Sequence, residues 1–550
     1  MTAPAESAPP PSGGWKTLLP LVAPALVFLA IVVQFLRFHE YALLLPESLA
    51  LMAAAALSGL AIGALGRLRS ETLAPLLMAV ALSVYLYFRQ EVTDYLVRVV
   101  EAVEVWTGHP VVVFVVLGTA IFAALSVACV LLKQHVDAIV AAAFGMMVVS
   151  TLVLPVGAGG APTQAGTLPD DLKDLPPVIH IILDEHIGPA GIPPEAEKRD
   201  EARELLTATY RDFALYDHAY SRFAETKYSL TSLMNGDVGA DVGDILRGEL
   251  FVFEPKTNDW FNRLKGKGYA LKVYQSAWFD MCNGFRSVDA CYTYSFFSPN
   301  AIQRTPLTAS QKFRALALRL FKGSGALQLE PLVSMHALEQ FRDDLARTPK
   351  GVAYIVHLLI PHFGYLYTDD CSLLDPSKWE RDGFGEDQVY TPEERRALYR
   401  RYLDQLICAN RQMQSLFADL KQLDVYDEAT IIIHGDHGSR IAETPYITEM
   451  PGTLTTQDMI DHYSTLLAIK APGIAAGIRD EPVALQRVFA EAFLGGGRSP
   501  APQQGEVFVR IDEEDGFSPL AFSWPGRPGS DSSVVGDARA IRGVVRELRR

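Results

Sequence analysis

Val178-Ile179-His180-Ile181-Ile182-Leu183-Asp184-Glu185-His186 is the stretch whose reading decides the fold. Its near-continuous run of aliphatic residues marks a strand buried on both faces, as in a parallel sheet. The run stops on two carboxylates, which are costly at the end of a buried strand unless paired or bound to a cation. A second stretch repeats the design: Ile431-Ile432-Ile433-His434-Gly435-Asp436-His437-Gly438, with glycines that allow close backbone turns. A third strand end is His357-Leu358-Leu359-Ile360-Pro361-His362-Phe363-Gly364. Carboxylates and imidazoles together form an oxygen/nitrogen donor set that suits Zn²⁺, Mn²⁺ or a similar divalent ion.

Around these ends, Leu271–Tyr274 and Leu466–Ile469 also read as buried strands, and Glu393–Leu423 as a long helix. On that helix Leu398, Tyr402, Leu406, Ala409, Met413, Leu416 and Leu420 share a face. The alternation predicts an α/β domain with a mostly parallel sheet and helices on both faces, with chemistry at the carboxyl ends of the strands. Glu225-Thr226-Lys227-Tyr228-Ser229-Leu230-Thr231-Ser232-Leu233-Met234-Asn235-Gly236 is a polar turn leading into an apolar run that reads as a helix. One reading makes Thr226 or Ser229 a simple N-cap. The same setting, with free N–H groups and a positive dipole, also binds phosphate. Next to a metal, the Thr226 hydroxyl becomes a nucleophile.

The composition divides the chain. It has 550 residues, 49 Lys plus Arg, 64 Asp plus Glu and a net charge of −15, which argues against gripping nucleic acid through phosphates. Its mean hydropathy is +0.13, with the apolar excess at one end. Residues 1–156 are about 10% charged, and the rest about 25%. Five apolar runs, at about 17–36, 44–66, 72–88, 109–132 and 136–155, predict five transmembrane helices. Five spans put the termini on opposite sides of the membrane. Lys16, Arg67, Arg69 and Lys133 on one side face Arg37, Arg89 and Arg98 on the other, which gives a slight positive-inside bias. Between 89 and 104, Val92, Tyr95, Leu96, Val99, Val100 and Val103 at helical spacing predict a helix on the outer surface or an extension of a span. Cys129 lies in the fourth run. Cys282, Cys291, Cys371 and Cys408 fit two disulfides, Cys282–Cys291 and Cys371–Cys408, in an oxidising compartment, or four free thiols. Residues 157–176 read as a Gly/Pro-rich linker, 177–550 as one extracytoplasmic domain, and the tail from Gly495 as irregular.

These motifs resemble the sulfatase-like branch of the alkaline phosphatase superfamily. There a strand ends in acidic metal ligands, as at Asp184-Glu185, and the nucleophile opens a helix as the first residue of Cys-x-Pro-Ser-Arg. Here Thr226 stands at the Cys position, Ser229 at the Ser position and Gly236 at the later Gly, while Tyr228 and Leu230 replace Pro and Arg. The Asp-His-Gly motif has its counterpart in Asp436-His437-Gly438. With a Thr nucleophile and five spans, the chain looks like membrane-anchored phosphoethanolamine transferases and lipoteichoic-acid-synthase-like phosphoglycerol transferases. The spacing of His357 and His362 is similar to a His-x4-His-Gly-Pro segment of the former, although Phe363-Gly364 follows His362. Ser439-Arg440-Ile441-Ala442-Glu443 stands where those enzymes carry a Glu-rich stretch.

The resemblance implies one divalent ion, Zn²⁺ or Mn²⁺ foremost and Mg²⁺ or Ca²⁺ as alternatives, held by Asp184, Glu185, Thr226, Asp436 and His437. It implies Thr226 as nucleophile, His362 as general acid or phosphate partner, and Lys227, Ser229, Arg440, His357 and His462 as substrate-side candidates. A phospho-alcohol head group would pass from a phospholipid donor to a lipid or glycan acceptor, outside a bacterial-type cytoplasmic membrane. The alternatives are a membrane-tethered hydrolase of the same type and a non-catalytic scaffold.

Overall fold

The computed structural model describes residues 15–39, 41–69, 73–89, 110–132, 135–153, 163–236, 238–249, 252–284, 287–295, 300–322, 328–379, 390–495, 505–511 and 516–524. The chain forms two compact units. One comprises residues 1–159 with 306–323, the other 160–305 with 324–550.

The first unit contains five apolar helices: α1 (Trp15–Phe38), α2 (Pro46–Arg69), α3 (Leu73–Tyr87), α4 (Pro110–Leu132) and α5 (Val136–Val153). Its small core joins Ala23, Val27 and Ala30 of α1 to Met78 and Ala79 of α3 and Phe144 and Val148 of α5. Val115, Val116 and Leu131 of α4 are exposed, which suits a surface facing hydrocarbon. Four of the five helices are long and apolar enough to cross a membrane; α3 has 15 residues, short of the ~20 a span needs. Residues 90–104 of the expected surface helix lie outside the described residues. The boundary at 156 needs one correction. The helix Ala309–Lys322 clusters with this unit although its sequence lies deep in the other, because it buries Ala315, Leu316 and Leu320 there.

The second unit is built on a nine-stranded sheet. Its strands are β1 (Thr163–Gly166), β2 (Val178–Leu183), β3 (Ala214–Tyr216), β4 (Ala270–Ser276), β5 (Ala290–Tyr294), β6 (Val352–Leu358), β7 (Thr430–His434), β8 (Leu467–Lys470) and β9 (Gly477–Arg479). The order is β1-β5-β4-β6-β2-β7-β8-β3-β9. The five central strands β5-β4-β6-β2-β7 are parallel, whereas β1 and β8 pair antiparallel to their neighbours. Both faces are covered, which is why β2, β6 and most of β7 lack polar alternation. Ala353 and Ile355 of β6 join a core with Leu230 and Leu233 of α6 (Thr226–Met234) and with Trp260. Tyr354, pointing the other way, packs edge-on against Phe341 of the helix Glu330–Arg347.

The segment expected to be pure linker contains β1, and the tail contains a hairpin, Glu506–Arg510 with Phe517–Ala521. Both were illegible because these strands are short and at edges, where pairing rather than composition decides. The long helix, here α7 (Pro392–Gln422), starts with a reciprocal capping box between Thr391 and Glu394. Disulfides join Cys282 to Cys291 and Cys371 to Cys408, and Cys129 is a buried free thiol. The second bridge spans 37 residues and ties the loop after β6 to α7. Closing a loop of that length stabilises by roughly 3–4 kcal/mol in the chain-entropy account. Replacing both Cys371 and Cys408 by Ala is therefore expected to lower the denaturation midpoint of the full-length protein in detergent. An unchanged midpoint would refute this.

Candidate metal centre

The parallel register places three strand ends side by side: Leu183 of β2 lies opposite Leu358 of β6, and His434 of β7 opposite Ile182 of β2. The residues that follow therefore converge. Asp184, His357 and Asp436 bring one ligand atom each within 4.8 Å of one another, and all three are buried. The Asp184 Oδ2 atom accepts from the Thr226 hydroxyl at 3.4 Å and faces His357 Nε2 at 3.3 Å. Asp436 Oδ1 accepts the backbone N–H groups of Glu185 and His437, both at 3.0 Å. The other oxygens, Asp184 Oδ1 and Asp436 Oδ2, are buried without a hydrogen-bond partner among the described residues. An uncompensated buried anion costs several kcal/mol, so a cation between these two oxygens suits the chemistry of the pair.

The imidazole of His437 is aimed at the same point. Its Nδ1–H donates to Gly438 O at 2.9 Å, and its Nε2 faces Thr226 Oγ1 at 3.3 Å, Asp436 Oδ2 at 3.3 Å and Asp184 Oδ1 at 3.8 Å. Thr226 is the first residue of α6, and Glu225 takes the N-cap place without a side-chain cap bond. The Thr226 hydroxyl is thus free of capping duty and points at the carboxylate. Burial and repulsion from Asp436 push Asp184 up to about 7. Against its own burial, Asp436 is held down to about 2 by His437 and His357.

Glu185 sits beside this cluster but is differently served. Its Oε1 is held by Arg440 Nη2 at 2.6 Å and Nε at 3.1 Å, and Phe363 N–H donates to Oε2 at 3.3 Å. His362 Nε2 lies 3.8 Å from Oε1, and its Nδ1–H donates to Phe363 O at 2.6 Å. Of the two acids expected as ligands, Asp184 keeps an oxygen without a partner and Glu185 is neutralised by Arg440. Ser229 does not face the cluster's open side. Its hydroxyl donates to Asp436 O at 2.6 Å and lies 3.1 Å from Gln486 Nε2, so it holds the backbone of the β7 end. Lys227 pairs with Glu225 at 3.5 Å and lies over the rings of Tyr228 and Phe253. Glu225 also takes Arg510 at 3.0 Å. His462 is tied to Thr444 O at 2.8 Å and is not in the ligand cluster.

The support behind the site was not apparent in the sequence. Tyr402 of α7 donates to Glu185 O at 2.6 Å and accepts from Ile187 N–H. Gln405 donates to Pro361 O and His362 O, and Asn410 meets His186 at 2.8 Å. Polar residues on the buried stripe of a helix are the signal that would have found them.

No protein-family model matches the sequence, and no curated protein matches it. Among solved structures, similar ones include the phosphonate monoester hydrolase of Agrobacterium radiobacter, 13% identical, covering 61% of this chain and 80% of that one, with a TM-score of 0.39. A protein of the alkaline phosphatase superfamily from Vibrio parahaemolyticus is 12% identical over 66% of this chain and 78% of its own, with a TM-score of 0.34. The periplasmic domain of Escherichia coli EptC, in complex with Zn, is 13% identical over 60% and 84%, with a TM-score of 0.36.

Two predictions follow from the packing around the β7 end. A Cβ at Gly435 would lie 2.2 Å from His186 O, and one at Gly438 2.2 Å from Asp461 O. Gly435→Ala is expected to destabilise by about 3 kcal/mol and to weaken divalent-ion retention, both measured on the full-length protein. Wild-type stability and ion content would contradict it. His186 donates its Nδ1–H to Ile187 O and accepts at Nε2 from Asn410, so its neutral form is fully satisfied. Burial pushes its pKa down to about 4 from 6.5. The unfolded chain takes up a proton below 6.5 that folded His186 refuses until about 4. Stability present above 6.5 therefore erodes as pH falls through that window, at ~1.4 kcal/mol per unit. His186→Gln is expected to flatten the fall in denaturation midpoint over that window; an identical slope would refute it.

Proposed function

We propose that this chain moves a phospho-alcohol head group, phosphoethanolamine or phosphoglycerol, from a phospholipid to a hydroxyl of an envelope lipid or glycan. The observation that carries the reading is the Thr226 hydroxyl at the start of α6, between Asp184 Oδ2 at 3.4 Å and His437 Nε2 at 3.3 Å. That placement supports an attacking group.

Asp184, Asp436, His437 and Thr226 are the residues to hold one divalent ion, Zn²⁺ or Mn²⁺ by donor type. Such an ion, when bound, lowers the pKa of the hydroxyl and screens phosphate charge. Thr226 Oγ1 passes its proton to Asp184, whose Oδ2 accepts from it, and forms a bond to phosphorus as the bond to the diacylglycerol oxygen breaks; the diacylglycerol leaves with a proton. His362, on the loop held by Gln405, is placed to supply that proton. The N-terminal end of α6, with its positive dipole, favours the phosphate's negative charge. The acceptor hydroxyl displaces Thr226 from phosphorus in the second half, and Thr226 regains its proton. The apolar helices of the first unit favour a lipid donor, and the disulfides favour a catalytic unit outside the cytoplasm. Transfer to water is the same chemistry with a different acceptor.

Thr226→Ala is expected to cut diacylglycerol release from labelled phospholipid by ~10³-fold or more and to abolish a head-group adduct on the peptide containing residue 226. It is also expected to remove a phospho-alcohol substituent from envelope lipids or glycans by mass spectrometry. Unchanged envelope chemistry in that variant overturns the transferase reading, and diacylglycerol release with only free head-group phosphate supports the hydrolase. Asp436→Asn is expected to lower the bound divalent ion in metal analysis of the purified protein. Equal metal content would refute the ligand assignment.

A further inference from the structure

The helix Ala309–Lys322 is the one segment from deep in the soluble sequence that clusters with the membrane-spanning unit. The chain leaves the soluble unit after Thr305 and returns at Ser324. Its sequence, Ala-Ser-Gln-Lys-Phe-Arg-Ala-Leu-Ala-Leu-Arg-Leu-Phe-Lys, carries Lys312, Arg314, Arg319 and Lys322 and no acidic residue, in a chain of net charge −15. One face buries Ala315, Leu316, Arg319 and Leu320. Arg319 is 2% exposed and acts electrostatically on His39 and Tyr41, in the turn after α1; Glu47, in the first turn of α2, acts on Tyr41 as well. Phe321 meets Phe88, just past α3, edge-on at 6.0 Å. The helix therefore lies across one end of the bundle, where α1 ends, α2 begins and α3 ends.

Its other face points outward and mixes Phe313, Leu318 and Phe321 with Arg314. Phe321 is 65% exposed, and Leu318 and Phe313 are half-buried beside the exposed Arg314. Phe38, Leu44 and Tyr87 are exposed at the same end of the bundle. Exposed aromatic residues at the ends of membrane helices mark the head-group level. A basic helix with outward apolar side chains, fixed at that level, has the make-up of an interfacial helix that binds anionic lipid.

We propose that Ala309–Lys322 is a membrane-interface helix that seats Phe313, Leu318 and Phe321 in the acyl boundary, with Lys312 and Arg314 among anionic phospholipid head groups. It adds a membrane contact beside the apolar helices and does not depend on the catalytic reading. The occupant follows from the charge of the helix and from its continuity with the spanning helices.

The test is site-directed spin labelling of the full chain in a Cys129→Ala background. Phe321→Cys and Leu318→Cys are labelled in turn, with Asp200→Cys as a water-exposed reference, since the Asp200 side chain is 98% exposed. Nanodiscs of phosphatidylcholine, with and without phosphatidylglycerol, supply the two surfaces. The ratio of oxygen to nickel-chelate accessibility at 321 and 318 is expected to be several-fold that at 200, and to rise further with phosphatidylglycerol. Lys312→Glu/Arg314→Glu is expected to remove that rise. Labels as accessible to the nickel chelate as position 200, or a ratio indifferent to phosphatidylglycerol, overturn the proposal. Protection from both reagents also overturns it, by putting protein rather than lipid on this face. Phe321 is largely exposed, so its replacement leaves the packing intact.

Discussion

Two buried carboxylates that face one another without a cationic side chain between them set the terms for the rest of the soluble unit. Asp184 and Asp436 follow neighbouring parallel strands, so their separation is fixed by the ladder between β2 and β7. Burial in that position is unfavourable for both ionised groups at once. Asp184 is accordingly raised and Asp436 lowered, with a nearby imidazole and a hydroxyl aimed at the same oxygens. The other buried acids here are neutralised by arginine: Glu185 by Arg440, Asp461 by Arg395 and Glu225 by Arg510. Glu185 nonetheless also lies beside Asp184 and His362, within ligand distance of both.

The surrounding structure holds this unfavourable pair in place. Gly435 and Gly438 let the chain after β7 pass within van der Waals reach of the backbones of His186 and Asp461. The carbonyl of Gly438 fixes the His437 tautomer, and Ser229 and Gln486 pin the carbonyl of Asp436. From the opposite side α7 contributes Tyr402 and Asn410 to the loop after β2 and Gln405 to the loop after β6. One rigid helix thus positions groups that lie far apart in sequence, the arrangement a site requires to keep its geometry.

Much of this was legible from residue patterns. The central strands β2, β6 and β7 announced themselves as uninterrupted aliphatic runs because both their faces are covered. Asp184, Thr226, Asp436 and His437 could be named because each stands at a boundary where a buried element meets polar groups. Edge strands such as β1 and the hairpin 506–521 were not legible, since their stability comes from a partner strand. The helix 309–322 could be recognised as helical and basic, but its membership of the membrane unit depends on the surface that receives Leu316 and Leu320.

By itself, then, the sequence determined the division into an apolar and a charged part, the parallel α/β class and the chemical types gathered at the strand ends. These are local properties: hydropathy over a span, periodicity along an element, and the cost of a charge beside a buried run. Only the tertiary structure decided which acid keeps an oxygen without a hydrogen-bond partner among the described residues, that Glu185 is taken by Arg440, that Ser229 braces a backbone, and that His357 joins Asp184 and Asp436. Those assignments depend on strand register and on side chains that approach from distant segments, and no local pattern encodes either.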